Sequence, residues 1–223
     1  MPLRLHLILG WLLVIGTLGL IGFWIPPREA KLGESYLIFF FHFPSAINCL
    51  NFFLIAGALS CAYLVRRRPT LDLAATTAVE VGVIACTITL ATGSIWAKAA
   101  WGVWWQPKDP RLMTVAIMWL TYAGYLALRG AIDEPTKRAR FCAAFGVVAA
   151  LNVPLVYFSI KWFGDVSHPM AVDFSELSMV ITRWVGAAAF LVLYCALWRL
   201  RYRVRLAESE AASLEEAFSR AGI

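Results

Sequence analysis

Long apolar runs constrain the fold of this sequence more than any other feature. Several of them approach or exceed the roughly 20 residues that a helix needs to cross a bilayer. Inside lipid each backbone N–H and C=O group must find its partner within the protein, so only helices and closed barrels can span. The alternating pattern of barrel strands is absent, and 61% of the residues are hydrophobic. The sequence therefore predicts an all-α integral membrane bundle.

Six transmembrane helices account for the apolar runs. The predicted helices cover roughly residues 5–25, 36–65, 72–95, 112–129, 139–160 and 178–201. Pro44 falls near the start of the second, where proline is tolerated. Asn152 and Pro154 give the fifth helix a local break and a polar group inside the bundle.

The two ends of the chain differ from each other in character. The first apolar run, which follows Arg4, is too long for the core of a signal peptide and lacks a small-residue cleavage site, so we expect a retained helix. The last residues are polar, acidic and rich in helix formers. We therefore divide the chain into a membrane domain, 1–205, and a short cytoplasmic tail, 206–223. The tail is either a solvated end or a docking segment for a cytoplasmic partner.

Basic residues predict the orientation, because cytoplasmic loops carry an excess of lysine and arginine. One set of helix ends carries Arg4, Arg66, Arg67, Arg68, Arg129, Lys137, Arg138, Arg140, Arg199, Arg201, Arg203 and Arg205. The opposite ends carry Arg28, Lys31, Lys98, Lys108, Arg111, Lys161 and Arg183. The first set should be cytoplasmic, together with both termini. The net charge of +6 then reflects topology and contact with lipid, and not nucleic-acid binding.

Three unusual features meet on the predicted outer face. The segment WGVWWQPKDPRL, residues 101–112, crowds three tryptophans against two prolines and three charged side chains. His42 lies at the outer end of the second helix, and His168 lies in the loop before the sixth. The remaining histidine, His6, belongs to the opposite face.

These residue types are the parts of a haem site. Two neutral imidazoles on opposite sides of a flat macrocycle hold haem iron in many proteins. Aromatic side chains can cover the macrocycle, and the basic residues Lys98, Lys108 and Arg111 can bind its propionates. Simpler interpretations exist for each residue: an interfacial tryptophan belt, polar anchors at helix ends, and a turn at Asp109.

Glu80 is the one acidic residue well inside a predicted span. Such residues are costly in lipid and are functional by default. No basic partner is evident at its depth. It either pairs across the bundle with a polar group or lies closer to the surface than predicted.

Four segments of the chain resemble the haem-handling proteins of cytochrome c biogenesis, and above all the haem exporter protein C (CcmC) family. TGSIWAKAAWGVWWQPKDPRLMT is similar to the tryptophan-rich signature of that family. FFFHFPSAIN and LNVPLVYFSIKWFGDVSH resemble the segments around its two ligand histidines, and YLALRGAID is also shared. The segments occur in the family's order and cover most of the chain. One departure is the stretch QPKD, where the family has a further tryptophan directly before the aspartate.

The resemblance implies a set of site residues. His42 and His168 would be the axial ligands of the haem iron. The haem-handling loop would consist of Trp101, Gly102, Trp104, Trp105, Asp109, Arg111 and Leu112. The bound group would be haem b, held transiently and without a covalent bond, because the chain has no CxxCH attachment motif.

The resemblance also implies a function and partners. Proteins of this kind bind haem at the periplasmic face of the bacterial inner membrane and deliver it to a periplasmic haem chaperone (CcmE-like). They work with an ABC-type ATPase and its membrane subunits (CcmA-, CcmB- and CcmD-like). This chain carries no ATP-binding motif, so we expect a haem-transfer subunit and not an enzyme.

Three other functions remain open from the residues. A cytochrome c synthase component of the CcsA type is generally larger and has a further histidine pair within the membrane. A b-type electron-transfer subunit would need histidine pairs inside its helices. A membrane scaffold would use the outer loop for protein contact and bind no cofactor.

Overall fold

The computed structural model describes residues 3–24, 33–163 and 175–221 of the chain. The elements, in chain order, are α1 (Leu3–Phe23), a short 3-10 helix (Glu34–Ile38), α2 (Phe39–Arg66), α3 (Pro69–Trp101), α4 (Pro110–Ala131), α5 (Pro135–Ala150), α6 (Asn152–Phe163) and α7 (Leu177–Ala221). Six helical stretches in these ranges are long and apolar enough to cross a membrane, with α5 and the start of α6 forming one of them. The prediction of an all-α bundle with six spans is confirmed.

Prolines and capping carboxylates set where the helices begin. α3, α4 and α5 each have proline in their first turn, where its missing N–H costs nothing. Asp109 accepts hydrogen bonds from the first backbone N–H groups of α4, and Glu134 does the same for α5. These carboxylates satisfy donors that a helix start otherwise leaves unpaired.

The break in the fifth span lies where the sequence predicts it. α5 ends at Ala150, and α6 begins at Asn152. Pro154 has no N–H to donate to the Ala150 carbonyl four residues earlier, so the α-helical ladder is interrupted at this point.

Two helices extend beyond their predicted ends. α3 continues past residue 95 to Trp101 and stops only where Gly102 adopts the left-handed conformation, with φ of 76°. α7 continues past residue 201 to Ala221, because its polar tail is rich in helix formers and contains no proline or glycine before Gly222. The predicted tail, 206–223, is therefore helical through Ala221, and its separation from the membrane domain stays a prediction.

α2 lies at the centre of the bundle and packs against α3, α5 and α7. Phe53 of α2 stacks on Tyr122 of α4, with ring centroids 3.8 Å apart. Gly82 of α3 faces the same phenylalanine so closely that an added Cβ would lie 2.6 Å from its ring. Small residues thus let the helix backbones approach each other, which is how helices associate in membranes without a hydrophobic driving force.

The structure corrects the interpretation of Glu80, because basic partners lie at its depth. Arg201 Nε donates to Glu80 Oε2 over 2.8 Å, and Arg205 Nε donates to Glu80 Oε1 over 3.0 Å. The two arginines are four residues apart and therefore share one face of α7. From the sequence, Arg201 and Arg205 are only basic residues at the end of the last helix, and nothing in the local pattern links them to α3.

The close approach of α2 and α5 predicts the effect of a single methyl group. A Cβ at Gly57 would lie 2.5 Å from Ala150 Cβ, so Gly57→Ala should force the helices apart and lower stability by about 1–3 kcal/mol. Gly124→Ala is the matched control, since a Cβ there meets no atom within 4 Å. Thermal unfolding of both variants in detergent checks this, and equal midpoints would contradict the packing argument.

Candidate functional site

His42 lies in the first turn of α2 and is held against α3. Its Nδ1 is 3.1 Å from the hydroxyl of Thr92. Its ring lies 5.9 Å from that of Trp96. Gly93 completes the contact, because a Cβ at this position would lie 3.1 Å from His42 Cε1. A glycine here leaves the imidazole the space that it occupies.

The hydrogen bonds of Thr92 assign the tautomer of His42. Thr92 Oγ1 lies 2.7 Å from the carbonyl oxygen of Ile88 and donates its one hydrogen within its own helix. With its hydrogen used in this way, the hydroxyl oxygen is an acceptor for His42 Nδ1–H, and we assign the tautomer on this basis. The lone pair of the neutral imidazole is therefore assigned to Nε2, the ring nitrogen that does not contact Thr92. This pattern is the common one for histidines that bind metals.

Aromatic rings extend from His42 toward the end of α3. Trp96 contacts both Phe39 and Trp101, each at a centroid distance of 6.0 Å. Only 5% of Trp96 is exposed, and its Nε1–H has no hydrogen-bond partner among the described residues. A buried N–H without a partner costs free energy, and a polar ligand atom that accepted from it would remove this cost.

The connection between α3 and α4 begins at a left-handed residue. Gly102 takes φ of 76°, and Lys98 Nζ donates to its carbonyl oxygen over 2.8 Å. Lys98 therefore caps the end of α3. Its ammonium group, which the sequence predicts as one of three cations that bind the propionates, is engaged in this hydrogen bond. Trp101 and Trp104 are 38% and 59% exposed, so they present apolar surface outward.

Asp109 caps the start of α4, whereas the structural role that the sequence suggested for it was a turn. The residue is fully buried, and its Oδ1 accepts from the backbone N–H groups of Arg111 and Leu112 over 2.9 and 3.0 Å. Three of the predicted loop residues are therefore tied together as the N-cap of α4. This cap fixes the direction in which the connection enters the helix.

A small cavity of ≈ 20 Å³ lies between the end of α3 and the start of α4. Its lining residues are Gly93, Trp96, Ala97, Trp101, Val103, Gln106 and Leu112. It is far too small to enclose a porphyrin. Any larger flat ligand would have to contact the exposed aromatic side chains outside this cavity.

The predicted site residues divide into two groups. The structure brings His42 close to the α3–α4 junction, where Trp101, Gly102, Leu112 and the rest of the predicted loop lie. His168 lies outside the described residues, so its place relative to His42 stays a prediction.

Arg183 lies against aromatic rings near His42, whereas the sequence predicted for it only a place among the basic residues of the outer face. Its guanidinium carbon lies 5.7 Å from the ring centre of Phe43 and 5.5 Å from that of Trp184. Its Nε is buried and has no partner among the described residues. The signal in the sequence was a lone arginine beside a tryptophan in an otherwise apolar run.

Comparisons with known proteins agree on one family. A family model described as Heme exporter protein C matches residues 3–217. The chain is similar to Heme exporter protein C of Bradyrhizobium diazoefficiens, with 30% identity over 93% of this chain and 82% of that protein. It is also similar to the proteins of the same name from Paracoccus denitrificans (30% identity; 88% and 83% covered) and Escherichia coli K12 (29%; 91% and 86%).

The cap on α4 leads to a prediction about Asp109. Asp109→Ala should lower stability by about 1–2 kcal/mol, because two backbone N–H groups lose their acceptor. Asp109→Asn keeps a side-chain oxygen at the same place and should retain most of the stability. Thermal unfolding in detergent compares the two, and an equal loss in both would show that the carboxylate charge matters more than the cap.

Proposed function

Because the chain belongs to the Heme exporter protein C family, we propose that it binds haem as its cargo beside His42 and passes the haem on from there. The family assignment gives the chain a membrane haem-handling role in cytochrome c maturation. The observation that carries the finer proposal is the contact of His42 Nδ1 with the Thr92 hydroxyl, which itself lies 2.7 Å from the Ile88 carbonyl oxygen, because this arrangement assigns the lone pair of the neutral imidazole to Nε2. An imidazole in this state is a ready axial ligand for haem iron.

The second axial ligand in this proposal is His168. The support comes from the sequence, in which His168 follows α6 in a segment that resembles the family's second ligand segment. α6 packs against α4, and the connection that contains His168 joins α6 to α7. α7 in turn carries Arg183 beside Phe43, the neighbour of His42. The described start of α7 therefore lies at the end of the bundle where His42 lies.

The aromatic surface would support the haem plane. Trp101 and Trp104 are exposed enough to cover one face of a macrocycle, and Gly102 between them has no side chain to obstruct it. A surface of this kind leaves the other edge of the haem accessible. The haem would be haem b, held by coordination and packing without a covalent bond, so that it can leave.

Cationic groups near this surface would bind the propionates. Lys108 lies in the α3–α4 connection, Arg111 lies in the first turn of α4, and Arg183 of α7 lies against Phe43. The buried Nε of Arg183 would gain the acceptor that it lacks among the described residues.

Partners would complete the pathway. We assign the site to the periplasmic face of the bacterial inner membrane, with both termini cytoplasmic, because the opposite helix ends carry most of the arginines. Haem would then pass to a periplasmic haem chaperone. An ABC-type ATPase with its membrane subunits would supply energy, since the chain has no ATP-binding motif of its own.

The axial role of His42 is tested by replacing and then restoring the ligand. Protein purified in detergent from haem-replete cells should show a Soret band of bis-histidine type. His42→Gly should lose or shift it, and added imidazole should restore it by occupying the vacated space. An unchanged spectrum in His42→Gly would exclude the assignment, whereas a loss that imidazole cannot reverse would point to a structural role.

The hydrogen bond from His42 to Thr92 should tune haem affinity. Thr92→Val removes the acceptor for Nδ1–H and should weaken haem binding about 10–100-fold, the usual effect of losing an outer-shell partner of a metal ligand. Thr121→Val is the matched control, because Thr121 also donates to a carbonyl four residues earlier but lies on α4. Haem titration measures both, and equal affinities would show that the Thr92 hydrogen bond does not support haem binding.

A further inference from the structure

A second polar site lies at the other end of the bundle from His42. A cavity of ≈ 360 Å³ opens there between α3, α4, α5 and α7, and its lining residues are Glu80, Leu126, Arg129, Gly130, Arg138 and Arg205. Glu80 precedes Thr92 by twelve residues on α3, which is about 18 Å along the helix. The cavity is therefore separate from the haem site, and its size falls within the range of small-molecule sites.

Two of the three arginines in this cavity are held in place by carboxylates. Arg129 forms a bidentate pair with Asp72, with N–O distances of 2.9 and 2.7 Å, and both side chains are largely buried. Arg205 pairs with Glu80, which also accepts from Arg201. A guanidinium has five N–H donors, so each of these pairs leaves donors that can reach a ligand.

Arg138 is held much less firmly than its neighbours. Among the described residues its guanidinium has one hydrogen bond, to the carbonyl oxygen of Ile132 at 3.5 Å, which is at the limit for such a bond. It lies in the first turn of α5 and lines the cavity. No carboxylate among the described residues forms an ion pair with Arg138.

The charges of the cavity do not balance. The three arginines that line it face two carboxylates, Asp72 and Glu80, which leaves an excess of one positive charge. Arg201 also donates to Glu80, but it pairs in turn with Glu208. Partly buried walls concentrate this positive excess, because charges interact more strongly where water is scarce. An anion with several acceptor oxygens would therefore be favoured in the cavity.

We propose that this cavity binds a phosphate group between Arg129, Arg138 and Arg205. Guanidinium forks match the oxygens of a phosphate, and the two existing ion pairs hold two of the forks in advance. Leu126 and Gly130 add an uncharged wall beside the arginines. The phosphate can come from the head group of an anionic phospholipid or from a soluble phosphate, and both sources share this chemistry.

The test uses the full chain in detergent after removal of bound lipid. Native mass spectrometry compares binding of phosphatidylglycerol with binding of phosphatidylcholine, and calorimetry measures binding of inorganic phosphate. Arg138→Gln removes the loosely held fork, and Arg138→Lys keeps the charge without the fork. Arg140→Gln is the control, because it removes the same charge from an exposed position two residues along the same helix. Helical content by circular dichroism verifies that each variant is folded.

Selective binding of phosphatidylglycerol that falls about tenfold in Arg138→Gln, and not in Arg140→Gln, would support the proposal with a lipid as the source. Binding of inorganic phosphate with the same dependence on Arg138, but without a preference among lipids, would support it with a soluble source. Equal losses in Arg138→Gln and Arg140→Gln would overturn it. So would the failure of both probes to bind the wild type.

Discussion

The absence of water inside the bilayer is the constraint on which this structure depends. Each backbone N–H and C=O group in the membrane must be paired within a helix, so irregular backbone is confined to the helix ends. The polar side chains that could bind ligands are therefore found near the helix ends. Asp109 and Glu134 cap two helix starts, and Gly102 ends α3 in the left-handed region. The side chains available for chemistry are grouped by the same rule: His42 and the exposed tryptophans at one end of the bundle, and the arginine-lined cavity at the other.

The packing of α2 against α3 both stabilises the core and shapes the proposed haem site. Near the middle of the bundle, Gly82 lets the Phe53 ring lie against the α3 backbone. Near the end, Gly93 lets the His42 ring do the same, and Thr92 fixes the ring's orientation. The histidine is therefore placed by helix packing and not by a loop. In the proposed role as a ligand, a histidine on such a rigid element would need little reordering when haem arrives or leaves.

The sequence was sufficient for those features that depend on local patterns. The lengths of the apolar runs predict the six spans, and Pro154 predicts the break between α5 and α6, because both effects act within a few residues. The contacts of Glu80 with Arg201 and Arg205 join positions more than 120 residues apart, and no local pattern shows which faces of α3 and α7 meet. The Thr92–His42 hydrogen bond could not be predicted for the same reason, because it joins two helices. The cap at Asp109 could not be distinguished from a turn, since helix N-caps and turns favour the same residue types.

The length of α7 has a mechanical consequence. Its 45 residues span about 68 Å, more than twice the hydrocarbon thickness of a bilayer. Arg183, near its start, touches Phe43 beside the haem-handling residues, while Arg205, about 33 Å further along, pairs with Glu80 in the opposite cavity. Because one continuous helix carries both arginines, the helix rise sets the distance between these two contacts. Inserting or removing a residue between them would therefore displace one contact relative to the other.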